Sequence, residues 1–154
     1  MKDRKIYDAV IQSIRDEQTL FDMREFWNTD DMLSSNAPEG YCGTASCIAG
    51  HAVHVSDDFE VKPTGEFSFE VVDPDNQKSC VERAGMIILG IDWRVAQALF
   101  FGEDLNRDAS GGGRRDVYLS TITREQAIAA LENVYKYDDP KWAKVVDAEQ
   151  VFDG

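Results

Sequence analysis

Between charged neighbours, Ile6, Tyr7, Val10, Ile11 and Ile14 recur at intervals of three and four residues, the spacing of one face of an α-helix. Residues 3–17 are therefore expected to form an amphipathic first helix. The next stretch, 20–41, carries Phe21, Met23, Phe26 and Trp27 in no clean period and ends in Pro38, Glu39 and Gly40, so it reads as an ordered but largely irregular connection. A helix from about Gly43 to Val55 is expected to follow. Residues 59–72 then alternate apolar and polar side chains on either side of Pro63, Thr64 and Gly65, the signature of a small β-hairpin.

Punctuation organises the second half. Ser79 and Glu82 stand at capping-box spacing, and Gly90 is placed to close the helix they would open, about residues 80–89. Asp92 is a cap for a short helix, Trp93 to Phe101, that ends at Gly102. Thr123 and Gln126 form another capping box, followed by Ala127, Ile128, Ala130, Leu131, Val134 and Tyr135 at helical spacing. Asp139 and Pro140 supply an N-cap and a first-turn proline for a last helix through about Val146. Residues 103–121 are polar and glycine-rich, and are expected to be a mobile surface loop. No internal repeat breaks the pattern. The fold class expected is mainly α: a single compact domain over residues 1–154, with five or six helices and one hairpin.

Composition narrows the function classes. The 154 residues are 43% hydrophobic, enough for a real core, with 29 acidic against 16 basic side chains and a formal charge of −13. Such a field repels phosphate backbones, which argues against general nucleic-acid binding. It suits instead a basic patch on a partner protein, or imitation of DNA toward a DNA-binding protein, although a charged face is most often simply solvated. The apolar runs are too short to span a bilayer, no signal-peptide hydrophobic region opens the chain, and three cysteines is an odd number. A reduced, cytoplasmic protein without a membrane segment is the expectation.

Candidate chemistry is concentrated in residues 42–54, which hold two of the three cysteines and both histidines. On a helix beginning near Gly43, Cys47, His51 and His54 would share one face, with Cys42 just outside the first turn. Four readings stand side by side. Cys42, Cys47, His51 and His54 are the side-chain types of a zinc site, but Cys47 and His54 would lie about 10 Å apart along the axis. That leaves Cys47 and His51 as the metal pair, with an acidic group from elsewhere. Cys42 or Cys47 near a helix N-terminus has the makings of a nucleophile, with His51 as its base, yet no histidine follows His54 to complete a more usual arrangement. The amides of Gly43, Thr44 and Ala45, with the hydroxyls of Thr44 and Ser46, would form an anion site at a helix start. Finally, Gly43, Ala45, Ala49, Gly50 and Ala52 are small, and a glycine inside a helix costs about 1 kcal/mol relative to alanine, so Gly50 implies the close approach of another element. In that packing reading Cys47 is a core residue, and His51 and His54 are partly exposed or hydrogen-bonded at its edge.

The anion reading draws weight from a second segment. Every basic residue between 83 and 124 is arginine, and residues 107–124 set four arginines against two aspartates in a strongly acidic chain. Arg114 and Arg115, following Gly111, Gly112 and Gly113, are placed to close over a phosphorylated ligand, since arginine grips phosphate bidentately. A solvated loop is the plain alternative. The segment lacks the P-loop pattern.

The CGTASCIAGHA run, preceded by Phe21, Met23 and Trp27 and followed by Ala84 to Ile91, Ala96 to Phe100 and an ITREQA helix start, resembles a group of small uncharacterised proteins of bacteria and their phages. The pieces cover most of the chain. The resemblance implies a phage or mobile-element origin and brings no particular reaction. In similar sequences the position of His51 is often aromatic, which counts against a strict ligand role for it.

The expectation is thus a soluble, non-enzymatic binding protein that sequesters or blocks a host component, an anti-defence role. Its target is either a small anionic nucleotide held by Gly43, Thr44, Ala45, Ser46, Arg114 and Arg115, or a host protein met by the acidic surface. The alternatives are a cysteine-dependent hydrolase using Cys42 or Cys47 with His51, and a zinc-stabilised interaction module. No cofactor is expected. Trp27, Trp93, Phe100, Phe101 and Trp142 read as core or as the seam of a homo-oligomer.

Overall fold

A computed structural model describes residues 2–16, 20–21, 45–46, 48–63, 69–102, 115–117 and 121–153. Among them the fold is mainly α with a small β-hairpin, as the sequence pattern predicts. The helices are α1 (Arg4–Arg15), α2 (Ile48–Val55), α3 (Val81–Leu89), α4 (Trp93–Phe101), α5 (Arg124–Tyr137) and α6 (Trp142–Val145). The strands are β1 (Leu20–Phe21), β2 (Ala45–Ser46), β3 (Glu60–Pro63), β4 (Phe69–Val72), β5 (Lys78–Ser79), β6 (Arg115–Val117) and β7 (Val151–Asp153). The hairpin pairs Glu60 with Val72 through Pro63 with Phe69, and β5 extends it to three antiparallel strands. β1 and β2 form a short parallel pair, and β6 and β7 an antiparallel one.

Most of the local signals act as read. Asp92 caps α4 by accepting the Val95 amide, and Thr123 and Gln126 close a reciprocal capping box at α5, while Asp3, expected within the first helix, stands just outside it and caps α1 by accepting the Lys5 amide. Gly90 and Gly102 take left-handed conformations at φ 66° and 71°, the stop that only a residue without Cβ adopts freely.

Three expectations change. Ser79 does not cap α3: it ends β5 opposite Val71, so Cys80 takes the N-cap position without a side-chain bond and the capping box does not form. Strand pairing has removed the residue the cap needed. Asp139 and Pro140 do not open the last helix either, because the Asp139 carboxylate accepts the Lys141 amide and Lys141 turns left-handed at φ 53° before Trp142. The loop expected over 103–121 contains a strand at 115–117, where the buried Val117 donates its amide to the Gly102 carbonyl.

Packing is tightest between α2 and α3. A Cβ on Gly85 would lie 3.0 Å from the ring of Phe100 and 3.1 Å from both Cα and Cβ of Ala49, so the two helix backbones approach as closely as a glycine allows. α2 is buried from Ile48 to Val53, the mark of an interior helix rather than an amphipathic one. α1 runs antiparallel to α5, since Arg4 near its start meets Glu132 near the end of α5 while Ile14 near its end meets Arg124 at the start.

Helix C-termini leave carbonyls without partners in their own helix, and here donors from distant residues reach a last-turn carbonyl in each of four helices, that of Val134 also accepting the Asp138 amide. The Arg124 guanidinium donates to Ile14 O of α1 at 2.6 Å, Tyr7 Oη to Leu89 O of α3 at 2.8 Å, Trp142 Nε1 to Ala98 O of α4 at 2.6 Å, and Lys2 Nζ to Val134 O of α5 at 3.0 Å. Each bond contributes about 0.5–1.5 kcal/mol and fixes one helix against another. Tyr7 is fully buried, and desolvation, then the charge of Asp138, raises its hydroxyl well above the ordinary range, so it stays a donor at any ordinary pH.

No single helix among the described residues is long and apolar enough to cross a membrane; α3 and α4, apolar as a pair, meet at a 116° bend. Gly85→Ala is expected to lower stability by about 1–2 kcal/mol in urea unfolding, because the Ala49 backbone cannot yield to the new methyl even though alanine favours the helix by about 1 kcal/mol. Tyr7→Phe, which leaves the ring in place and orphans a buried carbonyl, is expected to lose about 1–2 kcal/mol by the same measurement.

Candidate functional site

The segment that concentrates the cysteines and histidines is divided by secondary structure. Ala45 and Ser46 form a strand paired with Leu20 and Phe21, and α2 begins only at Ile48, so the helix expected from about Gly43 starts five residues later. This corrects the geometry on which the anion reading was built: the backbones of Ala45 and Ser46 belong to a β-ladder, not to the first turn of a helix. Cys42, Gly43, Thr44 and Cys47 lie outside the described residues, as does Arg114. Arg115 opens β6, its Cα in register with that of Asp153.

His51 is the one polar side chain counted in the buried interior of the described residues, at 1% exposure. The packing reading puts it at the helix edge, partly exposed or hydrogen-bonded; it is hydrogen-bonded but not at the edge. Packing of α1 against α2 encloses it instead, with its Nδ1 2.7 Å from the Ser13 hydroxyl and its Nε2 also buried. His54, one turn further along α2, is exposed. The two histidines therefore occupy different environments despite their spacing.

Burial, then the positive charges of His54 and Arg124, push the His51 imidazole down to about 3. It is neutral at ordinary pH. A general base works best when its pKa lies near the working pH, so a group this reluctant to take a proton is ill-suited to activating Cys42 or Cys47. A neutral imidazole is also the form a metal requires; among the described residues no three His, Cys, Asp or Glu side chains gather as ligands, and Cys42 and Cys47 lie outside those residues. The Ser13–His51 contact locks α1 to α2.

Arginine chemistry is likewise drawn into the scaffold. Arg124 caps α1, while Arg4 holds Glu132 in a bidentate pair at 2.8 and 2.7 Å, stacks over Tyr135 and pairs with Asp8. The Arg4 hydrogen bond keeps the Glu132 carboxyl below its usual value.

What the sequence reading passed over lies on the outer side of α3. Ile87 is 52% exposed, and Trp93 at the start of α4, one of the aromatics that read as core or an oligomer seam, is 47% exposed and so outside the core. Ile88 forms one wall of a groove of about 270 Å3 with Ile6, Ala9 and Val55, rimmed by Asp57 and Asp58. Ile87 borders a more polar recess with Phe59, Asp73, Lys78 and Arg83. The available signal was an excess of apolar residues: Val81, Ala84, Met86, Ile87, Ile88 and Leu89 exceed what one buried stripe of a nine-residue helix needs.

The His51 environment makes stability depend on pH with a definite sign. Its folded value lies below the 6.5 of the unfolded chain, so above about 6.5 neither state binds the proton and nothing changes. Below that the unfolded state takes the proton first, and folding loses about 1.4 kcal/mol per pH unit down to about 3. Between pH 7 and 5, wild type is expected to lose about 2 kcal/mol more than His51→Gln in urea unfolding; parallel pH profiles would show that the imidazole is not held neutral.

Comparison with protein-family models, curated proteins and solved structures finds no match to this chain.

Proposed function

We propose that the protein is a non-enzymatic binding module that sequesters or blocks a partner protein through its acidic surface. The observation that carries this reading is the formal charge of −13, a field that accelerates encounter with a basic surface and repels nucleic acid. Two features of the interior support it. The buried histidine is tuned away from proton transfer and committed to Ser13, and Arg4 and Arg124 are committed to helix contacts. The half-exposed Ile87 and Trp93 add the apolar component that a protein interface combines with charge.

The resemblance of the CGTASCIAGHA segment to bacterial and phage proteins supports a host component as the target, and the odd number of cysteines supports a reduced, cytoplasmic setting. The nucleotide alternative has less support: two of its four helix-start residues, Ala45 and Ser46, are in a strand.

Immobilised full-length protein incubated with bacterial extract is expected to retain basic proteins at about 50 mM salt and release them at about 500 mM, as screening shortens the reach of its field. A nucleotide retained in native mass spectra and lost from an Arg114→Ala, Arg115→Ala variant, with no salt-sensitive protein captured, would overturn the reading in favour of an anion site.

A further inference from the structure

We infer that the groove between α1, the end of α2 and α3 receives an amphipathic basic segment of the partner. One large apolar side chain would rest on Ile6, Ala9, Val55 and Ile88, with an adjacent lysine or arginine against Asp57 and Asp58. The inference rests on the protein-binding reading above and names the place and chemistry of contact.

Size and lining select the occupant. At about 270 Å3 the groove falls short of the roughly 300–1,000 Å3 of small-molecule sites, but it has room for one large side chain. Ile6, Val55 and Ile88 are partly buried side chains packed against the core, so the floor is anchored and does not require reordering on binding. Asp57 and Asp58 are exposed, and no ion pair engages either among the described residues. Lys5 stands on the rim as well, leaving two carboxylates against one ammonium. A second copy of the chain, itself at −13, would be repelled.

The two aspartates are also in an electrostatically poor place. They follow directly after the C-terminus of α2, where the helix dipole favours cations and disfavours carboxylates. A cationic segment bound there would offset both their mutual repulsion and their conflict with the dipole.

The test uses full-length protein and three short fluorescein-labelled peptides: a tryptophan flanked by lysines, the same peptide with alanine for tryptophan, and the same with glutamates for lysines. The first is expected to bind, with amide shifts in 1H–15N spectra at Ala9, Val55, Ser56 and Ile88. The other two should bind at least about tenfold more weakly. Asp57→Asn with Asp58→Asn is expected to weaken the first peptide about five- to tenfold while leaving the urea midpoint unchanged or raised. No binding, equal binding of all three peptides, shifts confined to another surface, or unchanged affinity in the double variant would each overturn the groove assignment. If basic proteins are still retained in a salt-sensitive way, only the groove fails; if they are not, the protein-binding reading fails with it.

Discussion

The rest of the structure depends on the contact in which α3 lies against α2 with only the hydrogen of Gly85 between the helix axis and Ala49. At that contact α2 is buried from Ile48 to Val53, and the Phe100 ring of α4 packs at the same point. α1 then covers α2, and α5 covers α1. Dispersion and burial of small and branched side chains supply most of the driving force, while the glycine determines how near the layers come.

Hydrogen bonds from distant residues set the angles and registers of those layers. Tyr7, Trp142, Lys2 and Arg124 each bring a donor to a carbonyl in the last turn of a helix, where backbone acceptors commonly lack partners within the helix. The same bond satisfies the helix and ties it to a neighbour. The buried Ser13–His51 contact belongs to this set, and its neutral imidazole is a consequence of how completely α1 closes over α2. Such directional contacts add specificity that apolar packing alone lacks.

This division of labour bears on function. Side chains that looked like chemistry in the sequence, His51 and Arg124 among them, are committed to packing seams. The net charge is strongly acidic, and α3 carries more apolar residues than one buried stripe needs. On the proposed reading, Asp57 and Asp58, without an ion pair among the described residues, would steer a partner, and isoleucine side chains would hold it.

How much of this was legible residue by residue follows from the range of the forces involved. The periodicity of Ile6 to Ile14, the caps at Asp92 and Thr123, the glycine stops at 90 and 102 and the alternation over 59–72 act within a few residues, so the sequence by itself determined the helices and the hairpin. The small residues of α2 also announced a close helix contact, though not that Gly85 would be the residue that permits it. Strand pairing was not legible. Ala45 with Leu20, Ser79 with Val71 and Arg115 with Asp153 join residues far apart or too short a run to show a period, and each displaced a local expectation: a helix start, a capping box, a loop. The state of His51 was likewise decided only by tertiary structure, because a histidine's pKa depends on what covers it, and what covers it comes from α1, thirty-eight residues earlier in the chain.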